Sequence, residues 1–282
     1  MKNRLALKKK LINKTLELGK KILKKEKLLV SEKIVNIVCN ILIRKKIQNQ
    51  FGGNLQAFVS GGGALDKKIG EFLNAIGLPT LQGYGLTEAS PVVSCNLPHL
   101  VKVDTVGPPF RTNKVKIAED GEILIKGENV MLGYWNNKKE TDKVIKNEWL
   151  HTGDIGELDH NNYLKITDRK KDIIVNLGGD NIAPSKLENI VCLNEFIKQS
   201  FVYGDKKNYL VALLVVEKTT NKEKIKIILE NINKNLALIE KIKKFVLINN
   251  EFTINNGMLT PTLKLKRKEI TKNYKQQLEN LY

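Results

Sequence analysis

The sequence predicts an α/β core that runs into a β-rich stretch and ends in a smaller α+β unit. Three observations predict it. Between Leu55 and Gln82 a strand-like run, a glycine turn, a helical pattern and a second strand follow one another, which is the order of an α/β unit. From Val101 to Lys165 the texture changes to short β runs divided by Gly, Asn and Asp turns. After Asp168, short strand patterns and helical patterns alternate, as expected of α+β.

Taken in order, residues 1–50 form a helical lead-in. Leu11, Leu18, Ile22 and Leu29 recur near helical spacing in a basic segment, Met1 to Lys27, that never settles into a clean apolar run. Such a helix either packs on the rest of the protein or lies on a membrane surface, with packing the commoner outcome. The apolar stretch Ile34 to Ile43 is interrupted by Asn36 and Asn40 and is too short to span a bilayer. Leu55 to Ser60 reads as a short buried strand, followed by the turn Gly61-Gly62-Gly63 and a helix from Asp66 to Ile76. A second strand near Thr80 to Gln82 leads into a loop, Gly83 to Glu88. Val115 to Ala118 and Glu122 to Lys126 read as strands. So do Ile173 to Val175 and the run Phe201 to Val216, a hairpin turning at Asp205 to Asn208. Helices are expected at Pro184 to Cys192, with Pro in the first turn, at Asn221 to Asn233 and at Glu269 to Leu281.

With 41% hydrophobic residues in 282, the chain can build one large or two moderate cores and is not of the disordered class. Its formal charge of +18, from 48 Lys+Arg against 30 Asp+Glu, attracts polyanions, although a compositional bias toward Lys would give the same excess. The Lys residues are spread out, with no Arg-rich stripe and little aromatic interleaving, which disfavours a dedicated nucleic-acid protein. Cys39, Cys95 and Cys192 are odd in number and in no CxxC pair, which fits a reducing cytoplasm. His99, His151 and His160 have no metal-ligand spacing.

Four segments carry chemistry-bearing residues. In Gly83-Tyr84-Gly85-Leu86-Thr87-Glu88 the glycines permit close backbone approach. Tyr84 offers a ring for stacking, Thr87 a hydroxyl for a phosphate, and Glu88 a carboxylate for a hard cation. In Trp149-Leu150-His151-Thr152-Gly153-Asp154 the Asp can accept from both hydroxyls of a ribose, or it can simply close an Asx turn. Asp168-Arg169-Lys170-Lys171-Asp172, with Asn176 to Pro184 behind it, offers an Arg for ribose or phosphate and a Gly178-Gly179 turn of free amides. A solvated charge run would look the same. In Leu259-Thr260-Pro261-Thr262-Leu263-Lys264-Leu265-Lys266-Arg267 a Lys on a C-terminal loop could neutralise charge developing at a phosphate.

In their order and spacing these four segments together resemble the adenylate-forming superfamily, and within it the long-chain fatty acyl-CoA ligases. Trp149 to Gly156, continuing through Leu164 to Asp172, is similar to that subgroup's signature stretch, as are Gly178 to Pro184 and Leu259 to Arg267. The resemblance runs from about Ile47 to the end. It implies that residues 51–167 are the C-terminal part of a large AMP-binding domain (α/β plus a β-rich subdomain) and that 168–282 are its small, mobile C-terminal domain, joined by a tight hinge at Asp168. It implies ATP, coenzyme A and a long-chain fatty acid as substrates, AMP and pyrophosphate as products, and Mg2+ as the metal.

By the same resemblance Ser60 to Leu65, with Gly61, Gly62 and Gly63, would line the acyl and adenosine pocket. Tyr84 and Gly85 would meet adenine, Thr87 the α-phosphate and Glu88 the Mg2+. Asp154 and Arg169 would bind the ribose, and Lys171 would be the pivot of the small domain. Gly178 and Gly179 would enter the site for the thioester step, and Lys264 would be the adenylation lysine. Two departures stand out. Gly63-Ala64 replaces the more usual Ala-Pro. The phosphate loop that the resemblance places upstream of Ser60 has no counterpart, Ser60 to Lys68 being no GxxxxGK[ST] substitute. Three readings follow: a split or truncated ligase that needs a separate N-terminal half, an inactive fragment, or a basic module for a membrane or nucleic-acid surface. Peripheral membrane contact is compatible with the first. An apolar face seeking a partner is expected.

Overall fold

The computed structural model describes residues 2–63, 65–217 and 220–282, with side chains from residue 6 onward. Ala64, part of the Gly63-Ala64 departure, lies outside the described residues. The chain divides into two compact units, the first ending at Ile166 and the second running Thr167–Tyr282.

The first unit begins with α1 (Lys2–Leu23), α2 (Val30–Cys39), a π turn (Asn40–Arg44) and α3 (Lys45–Gln50). The buried stripe of α1 is centred on Thr15, Leu18 and Gly19, not on the expected Leu11, Leu18, Ile22 and Leu29. Ile22 is exposed. The helix has also ended before Leu29, because Lys25 takes a left-handed turn at φ +57° and Leu29 starts a new element. The π turn aims Arg44 inward. Its guanidinium donates to the carbonyls of Ala75 (3.0 Å) and Thr15 (3.1 Å) and to Asn36 Oδ1 (2.8 Å), so one side chain fastens three helices. Burial lowers its pKa from the usual value. Val30, Ile34, Ile37, Val38, Ile41 and Leu42, at helical spacing, form an apolar stripe that stays exposed. Among the described residues no helix is long and apolar enough to cross a membrane.

The α/β unit follows as β1 (Phe58–Ser60), α4 (Lys67–Ile76), β2 (Thr80–Gly85) and β3 (Val92–Cys95), with β1 parallel to β2 and β3 antiparallel to it. Asp66 caps α4 through bonds from Lys68 N (2.8 Å) and Ile69 N (3.1 Å), and Gly77 ends it at φ +98°. Two expectations need correction. β1 is short and exposed, Phe58 at 37% and Val59 at 70%, because it is an edge strand and no described element covers it. Gly83 to Gly85, expected in a loop, belong to β2, since β3 supplies ladder partners for all three. Pairing overrides the turn preference of the glycines.

A five-stranded sheet completes the unit: β4 (Asn113–Ile117), β5 (Glu122–Gly127), β6 (Ile145–Lys146) after the short α5 (Lys138–Val144), β7 (Trp149–Leu158) and β8 (Leu164–Arg169). Tyr84, Val93, Val106, Ile123, Ile125, Leu150 and Leu164 form one core shared by the two sheets. Full burial of each such aliphatic side chain is worth about 1.5–3 kcal/mol.

The second unit holds β9 (Ile174–Val175), β10 (Asn181–Ile182), α6 (Pro184–Cys192), β11 (Ile197–Tyr203), β12 (Leu210–Val216), α7 (Lys222–Asn233), β13 (Ile242–Ile248), α8 (Arg267–Asn273) and α9 (Lys275–Glu279). β12 lies between β11 and β13. Leu210, Ala212 and Leu214 face one core with Leu187, Val191 and Ile225. Val211, Leu213 and Val215 face the other with Phe252, Ile270 and Leu278. Burial on both faces explains why β12 reads as an unbroken apolar run. The single helix expected from Glu269 to Leu281 is two helices, broken at Tyr274, whose ring packs edge-on against Phe252 at 6.2 Å.

Gly19 tests how closely α1 meets α4. A Cβ there would lie 2.5 Å from Ala75 Cα, a backbone atom that no rotamer change can move. Alanine gains up to about 1 kcal/mol of helix propensity, but overpacking costs about 1–3 kcal/mol, so the clash wins. Gly19→Ala should lower the unfolding midpoint by roughly 2–6 °C in a thermal scan. An unchanged or raised midpoint would show that the helices do not touch there.

Candidate active site

The parallel pairing of β1 with β2 ends at Ser60 opposite Gln82, and β2 runs on to Gly85. Their continuations, Gly61-Gly62-Gly63 and Gly83-Tyr84-Gly85, therefore share the carboxyl end of the sheet, which is where open α/β sheets bind ligands. A Cβ on Gly61 would sit 3.7 Å from the Gly83 carbonyl. Gly85 is tighter still: any Cβ there would collide with the carbonyl of Pro91, whose oxygen also accepts from Leu86 N (2.8 Å). The strand thus folds back within a few residues. It presents exposed Thr87 and partly exposed Glu88 in a short 3-10 turn, Thr87–Ala89.

Glu88 is held from outside the motif. Its Oε1 accepts from the Tyr134 hydroxyl at 2.8 Å, and its carbonyl accepts from Met131 N at 2.9 Å. Asn129 Nδ2 donates to the Ala89 carbonyl at 2.8 Å. Burial, and then the bond to Glu88, raise the Tyr134 pKa.

The second motif meets the first where Tyr84 reaches Asp154. The Tyr84 hydroxyl donates to Asp154 Oδ2 at 2.6 Å, with Tyr84 7% and Asp154 4% exposed. Asp154 follows a turn in which Gly153 takes φ +69° with open space around it, so the backbone angle alone calls for glycine. Glu122, buried on neighbouring β5, secures that turn. Its carboxylate accepts from Gly153 N at 2.8 Å and contacts His151 Nδ1 at 3.2 Å. Thr152 Oγ1 donates to the Ile123 carbonyl at 2.8 Å. Glu122 and Tyr134 were not singled out from the sequence. Nothing local marks them, because Glu122 meets His151 and Gly153, 29 and 31 residues on, and Tyr134 meets Glu88, 46 residues back.

In the second unit Asp168 is buried and serves the start of α6. Its Oδ1 accepts from Arg169 N (2.7 Å) and Ser185 Oγ (3.1 Å), and its Oδ2 from Ser185 N (3.3 Å). Burial raises its pKa despite these bonds. Arg169 and Lys171 lie in an exposed turn closed by Asp172 N and Ile173 N on the Arg169 carbonyl. Gly178 and Gly179 form the tip between β9 and β10, where Asn176 Oδ1 accepts from Asp180 N at 2.9 Å and Gly179 takes φ +83°. Lys264 is exposed on a turn closed by Thr260, whose Oγ1 accepts from Lys264 N at 3.0 Å. Unit by unit, Gly61, Gly62, Gly63, Tyr84, Gly85, Thr87, Glu88 and Asp154 belong to the first, and Arg169, Lys171, Gly178, Gly179 and Lys264 to the second.

This is the architecture of an adenylate-forming enzyme: a glycine-lined sheet end beside a carboxylate-bearing β subdomain, followed by a small α+β unit. Comparison with known proteins agrees. The AMP-binding enzyme family model matches residues 16–135, and that of the AMP-binding enzyme C-terminal domain matches 171–282. The chain belongs to the AMP-binding enzymes. It is 35% identical over 265 residues to a long-chain-fatty-acid–CoA ligase of Mycobacterium bovis, a match covering 86% of this chain and 44% of that protein. With human long-chain-fatty-acid–CoA ligase 1 it shares 33% identity over 285 residues, or 88% of this chain and 41% of the relative. The chain thus spans less than half the length of these relatives.

Among solved structures, O-succinylbenzoate coenzyme A synthetase of Bacillus subtilis in complex with AMP superposes with a TM-score of 0.65 at 26% identity, over 79% of this chain and 49% of that one. The adenylation domain of a Mycobacterium chelonae carboxylate reductase shares the fold at a TM-score of 0.72 and 24% identity, over 96% of this chain and 45% of its own.

Replacing Tyr84 with Phe removes the hydrogen bond to Asp154 and takes a donor from a buried carboxylate. The expected cost is about 1–3 kcal/mol, read from urea unfolding. An unchanged midpoint would mean that the bond contributes nothing.

Proposed function

We propose that the chain is the C-terminal half of an ATP-dependent long-chain fatty acid–CoA ligase, active when combined with the half that carries the phosphate loop. The observation that supports it most is the 35% identity with such a ligase along 86% of the chain, the site motifs in order.

The proposed reaction has two steps. A fatty carboxylate oxygen attacks the α-phosphorus of ATP, and pyrophosphate leaves with the bonding pair. The coenzyme A thiol then attacks the carbonyl carbon of the acyl-adenylate, AMP leaves, and the thiol proton goes to solvent. In this reading Gly61 to Gly63 and Gly83 to Gly85 let main chain approach the adenosine. Tyr84 borders the base while holding Asp154, and Asp154 and Arg169 receive the ribose hydroxyls. Thr87 donates to the α-phosphate. Lys264 neutralises charge as the carboxylate meets it. Lys171 is the pivot between steps, and Gly178 and Gly179 offer amides to the pantetheine arm.

Glu88 suits a cation borne by the substrate. Mg2+ is usually held by one or two carboxylates plus phosphate oxygens, and among the described residues no group of three or more His, Cys, Asp or Glu is placed to hold a metal. Such an ion would offset phosphate charge.

A companion half is supported physically as well. Parallel strands are normally covered on both faces, yet β1 is exposed, and the apolar stripe of α2 faces solvent. Contiguous apolar surface of this kind marks an interface.

Pyrophosphate release and acyl-CoA formation should be measured with ATP, Mg2+, coenzyme A and palmitate. The chain alone should be silent, and adding the N-terminal half of a related ligase should restore turnover. In the restored enzyme Lys264→Ala should slow adenylation by roughly 10²–10³-fold and affect thioester formation from preformed acyl-adenylate much less. Silence with and without the companion half would reject the proposal in favour of an inactive fragment.

A further inference from the structure

The turn that carries Lys264 is closed by bonds that Thr260 makes to Leu263 and Lys264, and those bonds do not tie it to the rest of the unit. Thr260 N donates to the Lys264 carbonyl at 2.8 Å and Leu263 N to the Thr260 carbonyl at 2.9 Å, but Pro261 to Lys264 are exposed and Leu263 sits at φ +60°, unfavourable for a bulky residue. Its direction must be set at its base. There Leu259 bridges Leu265, Lys266 N donates to the Met258 carbonyl at 2.8 Å, and the chain enters α8 at Arg267.

Arg267 turns back into the unit. Its Nη2 lies 2.6 Å from Glu188 Oε2 on α6, its Nη1 donates to the Val202 carbonyl at 3.3 Å, and its guanidinium lies over the Phe201 ring at 5.4 Å. Glu188 Oε1 accepts from Val202 N at 2.8 Å. The pair thus occupies both main-chain groups of one residue on β11, an edge strand of its sheet. Both side chains are largely buried, and a planar guanidinium held through two nitrogens by two different acceptors is restricted in direction as well as distance. Two residues, Leu265 and Lys266, separate this anchor from Lys264, at most about 11 Å from Cα to Cα.

We propose that Glu188 and Arg267 are positioning residues for Lys264, fixing the base of its turn against α6 and β11. The proposal rests on the reading of Lys264 as the adenylation lysine, but its structural content can be tested without turnover.

Amide hydrogen exchange on the full chain is the test. In Arg267→Ala the amides of Leu263, Lys264 and Lys266 should exchange about tenfold faster or more, while those of Leu213 and Val215 in β12 hold their rates, the mark of local opening. Arg267→Lys, which keeps the charge without the fork, should restore part of the protection. Should Arg267→Ala not fold, Glu188→Gln, which keeps the size and an acceptor, serves in its place with the same expected direction. Unchanged protection of the turn overturns the proposal. So does acceleration of turn and β12 amides in equal ratio, which would make the pair a general stabiliser. The Lys264→Ala assay judges the ligase reading separately, so the two failures are distinguishable.

Discussion

The hydrogen bond from Tyr84 to Asp154 joins residues 70 positions apart, on two different sheets. Most of the first unit is arranged so that it can form. β2 must keep its pairing with β3 through Gly83 and Tyr84, with a register shift before Gly85, to bring Tyr84 into the core shared with Ile123, Leu150 and Leu164. β7 must break its ladder at Gly153 so that Asp154 turns inward, and Glu122 has to be buried beside that break to take the freed amide. A buried hydrogen-bonded network is costly when incomplete and specifying when complete. The two motifs are therefore properties of one network, although 60 residues separate the end of the first, Glu88, from the start of the second, Trp149, with most of the β subdomain between.

The second unit solves a different problem. Its three-stranded sheet has a core on each face, so its rigidity does not depend on any single contact. The chemistry-bearing residues lie on turns at its rim, where Asp168, Asn176, Thr260 and Glu188 hold backbone through side-chain bonds. Burial pushes the Glu188 carboxyl up to about 7, Arg267 opposing. That is the expected sign where desolvation outweighs a single countercharge.

Much of this was legible in the sequence wherever the signal was local. The helical pattern from Asp66 announced α4, Pro184 announced α6, and the run Phe201 to Val216 announced a hairpin, because such patterns act within a few residues, whereas the central place of β12 depends on β13, further along the chain. The motif residues could be named from type, order and spacing. Other features were decided by partners remote in sequence. Gly83 to Gly85 read as a loop until β3 paired with them. Leu55 to Ser60 read as a buried strand, yet only Phe58 to Ser60 form one, and it is uncovered. Glu122, Tyr134 and Glu188 were invisible as site residues because a buried Glu is recognised by its neighbours alone.

Gly85 and Gly153 are both glycines, but for different reasons. At Gly85 the prohibition is volume: every other side chain begins with a Cβ, and the Pro91 carbonyl occupies its place. At Gly153 the prohibition is angle: space is open, and asparagine or aspartate tolerate a left-handed backbone. A side chain at Gly153 would therefore meet no neighbour but would carry the strain of a left-handed backbone, least for asparagine or aspartate. At position 85 a side chain could enter only if the main chain that crosses it moved first.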